Sequence, residues 1–284
     1  MEAQPSRTAL ATAAARAAHL IVDRRPWIFE DTLAAVLLGD LADDLIALHR
    51  NRATAKVLAS MRVAMTTRSR YTEGRLSEAV DRGVRQVVIL GAGLDSFAYR
   101  SRLARQVGVF EVDHPATQAW KRQRLAAASI PIPDLVRLVP VDFRVDSLNG
   151  RLVDAGFDQT QPAFVTWLGV TQYLTVEAIS ATLDVISRFA SGTELVMEYL
   201  VPAKLRDRPG QALADFFMPR AAAFGEPWVT FLAPAEISRL LAERGTVIVD
   251  DVGRKDQPDA SLWRRSDALS PHELGRLARA VKAG

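Results

Sequence analysis

Val87-Val88-Ile89-Leu90-Gly91-Ala92-Gly93-Leu94-Asp95-Ser96 carries an apolar run straight into a Gly-x-Gly turn. Four apolar residues bounded by glycine read as a buried strand, about 86–90, of a parallel sheet covered on both faces, because such strands are continuously hydrophobic rather than alternating. The glycines let the chain turn sharply and bring its backbone close to a ligand, while Asp95 or Ser96 can cap a helix over roughly 94–104. About twenty residues on, Val109-Phe110-Glu111-Val112-Asp113 reads as a second strand ending in acid. A carboxylate there is placed to accept hydrogen bonds from the ribose hydroxyls of a nucleotide lying across the strand ends.

A Gly-x-Gly turn alone is a weak signal, since many strand-to-helix turns need glycine only for geometry. The acid at the right spacing strengthens it, and two nucleotide classes then compete. A dinucleotide site wants a third glycine for close helix packing and a helix N-terminus facing pyrophosphate. Here Ser96 takes that position, and Asp95 beside it would repel a diphosphate. A cofactor with an amine and a sulfonium but no phosphate tolerates the charge, so the loop favours S-adenosylmethionine over NAD.

Working outward, residues 1–85 read as helices only, over about 8–22, 31–48 and 51–81, a helical preface to the core. Arg24-Arg25-Pro26-Trp27 breaks the first two. Trp27 and Phe29 read as packing anchors, with a substrate wall as the alternative. From 86 onward strands (about 86–90, 107–112, 135–141, 163–168 and 193–200) alternate with helices (about 94–104, 115–128, 147–154 and 175–190), the pattern of a doubly wound parallel sheet. Toward the end the expected pieces are a helix near 234–243, strands near 246–250 and 261–266, and a last helix starting at Ser270-Pro271-His272-Glu273, which resembles an N-cap followed by proline and an acid. The segment 201–232 is dense in aromatics and proline, including Phe217, Arg220 and Trp228, and reads as a lid over an apolar substrate or as a satellite core.

Further matches keep register along the chain: Arg24, Pro26, Phe29 and Asp31; Arg68-Ser69-Arg70-Tyr71; Glu111-Val112-Asp113-His114-Pro115; Val141-Asp142-Phe143-Arg144; and Trp167-Leu168-Gly169-Val170-Thr171-Gln172-Tyr173-Leu174-Thr175. Together with the Gly loop they resemble the class I methyltransferases of the leucine carboxyl methyltransferase type, a group that includes bacterial polyketide O-methyltransferases. The resemblance implies an α/β Rossmann-like fold, with a doubly wound, mostly parallel sheet over 86–284, N-terminal helices over 1–85 and a lid insertion over about 201–232. It implies that Arg68, or less directly Arg70, grips the cofactor's methionine carboxylate, for which a guanidinium is suited. It also favours Asp142 and Phe143 as adenine contacts over a simple helix cap. The cofactor set it implies is Arg68, Gly91, Ala92, Gly93, Asp95, Asp113, His114, Asp142, Phe143 and Leu168. One departure stands out: where the family has Trp-Glu-Gly-Val, this chain has Trp167-Leu168-Gly169-Val170.

The expected activity is methyl transfer to an oxygen, hydroxyl or carboxyl, of a small aromatic or polyketide-like acceptor of secondary metabolism. Trp27, Tyr173, Phe217, Arg220 and Trp228 are its candidate contacts. Tyr173, Glu198 and Tyr199 are weak candidates for a base, and no catalytic residue is assigned. The alternatives are a protein of the same fold that retains cofactor without transferring methyl, and an NAD-dependent oxidoreductase. The 284 residues, 49% hydrophobic and 24% charged, suffice for one large domain with a cap. A net charge of +3 without a dense basic run argues against nucleic acid. No cysteine occurs and the four histidines lack ligand-like spacing, so no metal is expected. No apolar stretch reaches membrane-spanning length, and the start lacks a signal-peptide core, so a soluble cytoplasmic protein is expected. A small-molecule substrate is the expected partner, and homo-oligomerisation is left open.

Overall fold

The structure is a computed structural model that describes residues 6–142 and 146–283. Four helices come first: α1 (Arg7–Val22), α2 (Ala34–Leu38), α3 (Ala42–Asn51) and α4 (Lys56–Asp81). The core follows as β1 (Gln86–Leu90), α5 (Phe97–Arg100), β2 (Gly108–Asp113), α6 (Pro115–Ala127), β3 (Val136–Pro140), α7 (Leu148–Asp154), β4 (Ala163–Trp167), α8 (Val176–Ile186) and β5 (Glu194–Leu200). It ends in α9 (Arg208–Ala223), α10 (Pro234–Ala242), β6 (Thr246–Gly253) and β7 (Gly275–Lys282). The strands form one sheet in the order β3-β2-β1-β4-β5-β7-β6. Five are parallel, and β7 runs antiparallel between β5 and β6.

The continuous hydrophobicity of the parallel strands has the expected cause. Val88 and Leu90 of β1 pack with Phe110, Val165 and Trp167 in a core on one face, whereas Val87 and Ile89 pack with Val109, Phe164 and Val196 on the other. Strand order reverses beside β1, where the connection from β1 leads to β2 on one side and β4 lies on the other. That divergence leaves a crevice at the carboxyl ends of β1 and β4.

The preface does not stand apart from the core. Met61, Ala64 and Met65 of α4 share a cluster with Ala15 of α1, Leu200 of β5, and Leu213 and Ala214 of α9. The insertion is docked as well: Asp207, the N-cap of α9, accepts from Gly210 N–H at 2.8 Å and from Glu273 N–H at 2.9 Å.

Two expectations for the C-terminal part are corrected. The segment near 261–266 holds a short 3₁₀ turn, Ala260–Trp263, in place of a strand. Ser270 to Glu273 lead into β7 rather than a helix. Capping chemistry is local, but β7 is paired along both edges, Leu277 with Glu198 and Val252, and buries Ala278 and Ala280 in one core and Leu277 in the other. Pairing on both sides and burial on both faces outweigh a weak helical start. The helix expected over 94–104 also shrinks, to the single turn α5 and a 3₁₀ turn at Leu103–Gln106.

Leu277 is fully buried on β7. Leu277→Ala is expected to cost about 2–5 kcal/mol in urea unfolding, the range for emptying a core leucine site. A loss below about 0.5 kcal/mol, as for a surface position, would return this segment to the helix its local sequence suggests.

Candidate active site

The turn after β1 is shaped by both glycines. Gly91 and Gly93 adopt φ of +68° and +47°, and a Cβ on Gly91 would lie 2.3 Å from Val170 Cγ2. Gly91 and Ala92 N–H donate to the Val112 carbonyl at 2.9 and 3.0 Å, which ties the turn to β2. Gly93 N–H then donates to Asp113 Oδ2 at 2.5 Å, and His114 N–H to Asp113 Oδ1 at 2.7 Å. The acid singled out by spacing therefore organises the loop. Burial pushes its carboxyl up from the usual range, against the pull of these two donors. Asp95 accepts from Phe97 N–H at 2.7 Å and starts the short α5.

This turn floors a cavity of about 440 Å³, within the range of small-molecule sites. Arg68, Gly91, Ala92, Gly93, Asp95, Asp113, His114, Asp142, Leu168 and Tyr173 all line it, so the structure brings together the expected residues that it describes. His114 caps α6, its Nδ1 accepting from Ala116 N–H at 3.2 Å, and its Nε2 lies 4.0 Å from Asp142 Oδ2. Phe143 lies outside the described residues. Leu168 is half-buried and packs against the core beneath while facing the cavity. Thr8, Ala9 and Thr12 of α1 form the opposite wall.

A second, smaller cavity of about 80 Å³ adjoins the first and shares Thr8, Thr12, Arg68, Gly169 and Tyr173 with it. Met61, Met65, Leu200, Leu213, Phe217 and Trp228 make it mostly apolar. Its polar end holds Glu198, whose Oε2 accepts from Arg68 Nη1 at 2.6 Å and whose Oε1 accepts from Arg254 Nη2. Burial would push the Glu198 carboxyl up, but the Arg68 and Arg254 guanidiniums outweigh it and hold it below the ordinary range. Arg68 is pulled down from its ordinary value by burial, with Glu198 opposing. Arginine keeps its charge in proteins, so the pair is ionised. Gly169 makes room for it: at φ +72° its missing Cβ would meet Arg68 Nη1 at 2.8 Å.

Four expectations change at this point. Glu198 is unsuited as a base because two guanidiniums occupy its carboxylate. Tyr199 lines neither cavity, and its hydroxyl donates to Asp251 Oδ2 at 2.8 Å. Arg220 is exposed, its guanidinium 3.6 Å over the Phe216 ring, and Trp27 stacks under Arg25 at 4.1 Å. Neither Arg220 nor Trp27 lines either of these two cavities, so both are removed from the substrate contacts there.

Three contributors escaped the sequence reading. Arg16 of α1 lines the larger cavity, held by Asp31 Oδ2 at 2.7 Å and by the Leu94 carbonyl at 2.7 Å. Asp31 also accepts from Ser96 Oγ at 2.7 Å. The matching Asp31 was thus a visible signal whose partner was not. Arg254 and His272 lie in the smaller cavity's wall, and no local pattern marks either.

The leucine carboxyl methyltransferase family profile matches residues 9–187. The chain belongs to the leucine carboxyl methyltransferase family. Over 301 residues it is 32% identical to YktD of Bacillus subtilis, a protein named as an S-adenosyl-L-methionine-dependent methyltransferase, with 98% of each chain covered. A Mycobacterium protein named in the same way is 32% identical over 69% of this chain and 68% of its own length. A crystal structure from Thermobifida fusca, described as that of a methyltransferase, superposes with a TM-score of 0.59 at 21% identity, over 88% of this chain and 92% of the other. A second, a DUF574 family protein from Streptomyces avermitilis, gives 0.59 at 19% identity over 95% and 97%. These two share the fold. Membership in the leucine carboxyl methyltransferase family makes the protein a methyltransferase enzyme with the Rossmann-like sheet expected of it. Among the described residues no helix is long and apolar enough to cross a membrane, and no group of three or more metal-ligating side chains occurs.

His272 sets a pH dependence. Burial, and after it the nearby Arg254, pushes its pKa down to about 4, whereas an unfolded histidine titrates near 6.5. Between these values the unfolded chain takes up a proton that the folded chain does not, so stability is lost as pH falls from about 6.5 to about 4. His49, also near 4, acts in the same sense. His272→Gln should reduce the loss across this window by roughly 3 kcal/mol in unfolding titrations. An unchanged slope would mean that folded His272 carries the proton.

Proposed function

We propose that the enzyme transfers a methyl group from S-adenosylmethionine to an oxygen of a small, apolar, aromatic or polyketide-like acceptor. The observation that supports this most is the junction of the two cavities, where a cleft built on the Gly loop opens into an apolar chamber past Arg68, Gly169 and Tyr173.

The residues fit the cofactor. Asp113 would accept from the ribose hydroxyls, exchanging its hold on the loop amides for them. Gly91, whose missing Cβ makes room for the Val170 side chain, lets the turn pass close under the cleft. Asp142 would take the exocyclic amine of adenine. Arg68, with Arg16 beside it on the same wall, would grip the carboxylate. When bound, S-adenosylmethionine supplies an electrophilic methyl group on sulfur. The chain then has to align the acceptor oxygen and exclude water, two contributions that suffice for much of such catalysis. Helix α1 and the aromatic insertion do the excluding. A carboxylate acceptor needs no base, whereas a hydroxyl gains from one. Tyr173, which lines both cavities, is the remaining candidate of the three.

Incubation with acceptor candidates, read by mass spectrometry, tests transfer directly: a product heavier by one CH₂ unit is expected, and retention of cofactor without any such product would favour a non-methylating protein of the same fold. Calorimetry should show S-adenosylhomocysteine binding and no NAD binding. Asp113→Ala should weaken that binding about ten- to a hundredfold, the equivalent of a charge-assisted hydrogen bond of roughly 1.5–3 kcal/mol. Leu168→Glu adds a carboxylate to the cleft and should tighten S-adenosylmethionine, a cation at sulfur, while slowing turnover. Weaker binding with turnover intact would place residue 168 in the core instead.

A further inference from the structure

Four side chains that line the smaller cavity each carry a buried polar atom with no hydrogen-bond partner among the described residues: Trp228 Nε1, Arg254 Nε, Gln172 Oε1 and His272 Nδ1. Each belongs to a side chain whose other polar atoms are engaged or that has none. His272 Nε2 lies 3.0 Å from the Ser60 carbonyl, which can only accept, so Nε2 carries the hydrogen and Nδ1 presents a lone pair. Gln172 Nε2 donates to the Gly169 carbonyl at 3.1 Å, which likewise leaves Oε1 as a bare acceptor. Arg254 gives Nη1 to Gln257 and Nη2 to Glu198, and its Nε–H remains. Leaving such groups unmatched when buried costs on the order of 1–3 kcal/mol each, so four of them around one cavity favour an occupant with polar groups of its own.

We propose that this chamber receives the methyl acceptor and that His272 and Arg254 read a hydroxyl group on it, an assignment that rests on the methyl-transfer reading above. The chemistry follows from the set. A hydroxyl both donates and accepts, so one oxygen can give its hydrogen to His272 Nδ1 and take one from Arg254 Nε–H. A carboxylate offers acceptors only: it would suit the Trp228 and Arg254 donors but oppose the lone pairs of His272 and Gln172. Arg254 shares the Glu198 carboxylate with Arg68, and its two Nη groups are engaged, which leaves Nε–H as its free donor. Folded His272 is neutral near pH 7, its pKa pushed down to about 4 by burial, so it offers no charge to an anion. Around this polar end the wall is apolar, with Met61, Met65 and Phe217, which suits a flat hydrocarbon body. His272 lines only the smaller cavity, so the hydroxyl it reads is set back from the cofactor cleft, a feature that orients the acceptor.

The test is binding of three probes of one shape, p-cresol, toluene and p-toluate, to the full chain saturated with S-adenosylhomocysteine, followed by ligand-detected NMR titration. Wild type should hold p-cresol roughly five- to tenfold more tightly than toluene, the equivalent of one net hydrogen bond, and p-toluate no more tightly than toluene. His272→Leu should erase the p-cresol preference and leave toluene binding in place. His272→Gln, whose amide can donate to Ser60 and still present an oxygen, should retain the preference. Equal binding of p-cresol and toluene, tightest binding of p-toluate, no binding of any probe, or a preference that survives His272→Leu would each overturn the assignment. If His272→Leu does not fold, the wild-type order of the three probes decides alone. Because the readout is binding, failure to detect a methylated product is a separate result that bears on the transfer reading.

Discussion

Glu198 between Arg68 and Arg254 is the contact on which the site's shape depends. It joins three distant parts of the chain: α4 of the preface, the interior strand β5, and the segment just after β6. All seven residues of β5 are buried, so a carboxylate there must be paired, and removing one partner of such a pair costs on the order of 3–5 kcal/mol. With its guanidinium held by Glu198, Arg68 stands in the partition between the two cavities. Glycine suits residue 169 on two counts: its φ of +72° strains other residues, and a Cβ there would press on the Arg68 guanidinium that Glu198 holds.

A second buried network does the same for the Gly loop. Asp31, from the turn after α1, accepts from Arg16 of α1 and Ser96 at the start of α5, and Arg16 in turn donates to the Leu94 carbonyl. Burial would push the Asp31 carboxyl up, yet Arg16 and Ser96 draw it below its ordinary value. The loop that the cofactor is proposed to meet is therefore fixed from two sides, by Asp113 within the sheet and by Asp31 in the preface. The helical preface is part of the site's construction as well as its cover.

What the sequence disclosed follows the range of the interactions involved. The β1 strand, the Gly turn and Asp113 lie within some thirty residues and carry their own pattern of burial and backbone need, so they were legible along with the parallel sheet. Arg68 and Leu168 became legible through family resemblance, and both line the cleft. Arg254, Gln172 and His272 meet only after β6 and β7 pair, and no spacing in the chain announces that meeting. The same blindness turned β7 into an expected helix, since Ser270-Pro271-His272-Glu273 satisfies a local capping rule while the strand's partners lie at least twenty residues away. Arg220 and Trp27 failed for the converse reason. Aromatic and cationic side chains close in sequence found each other, in Arg220 over Phe216 and Arg25 over Trp27, away from both cavities.

The two cavities differ in character along one line. On one side the wall is backbone amides and carboxylates, suited to a nucleoside; on the other it is thioether, leucine and aromatic carbon. In the proposed reaction a methyl group passing from one to the other would cross at Gly169, Tyr173 and Arg68, the residues that line both. A bare guanidinium at that boundary would favour water, which competes with any acceptor for the reactive carbon. Pairing Arg68 with Glu198 places a carboxylate against that guanidinium inside the protein and so lessens its demand for water at the boundary. The proposed alignment of acceptor and cofactor thus depends on an ion pair whose third member, Arg254, belongs to the acceptor's chamber.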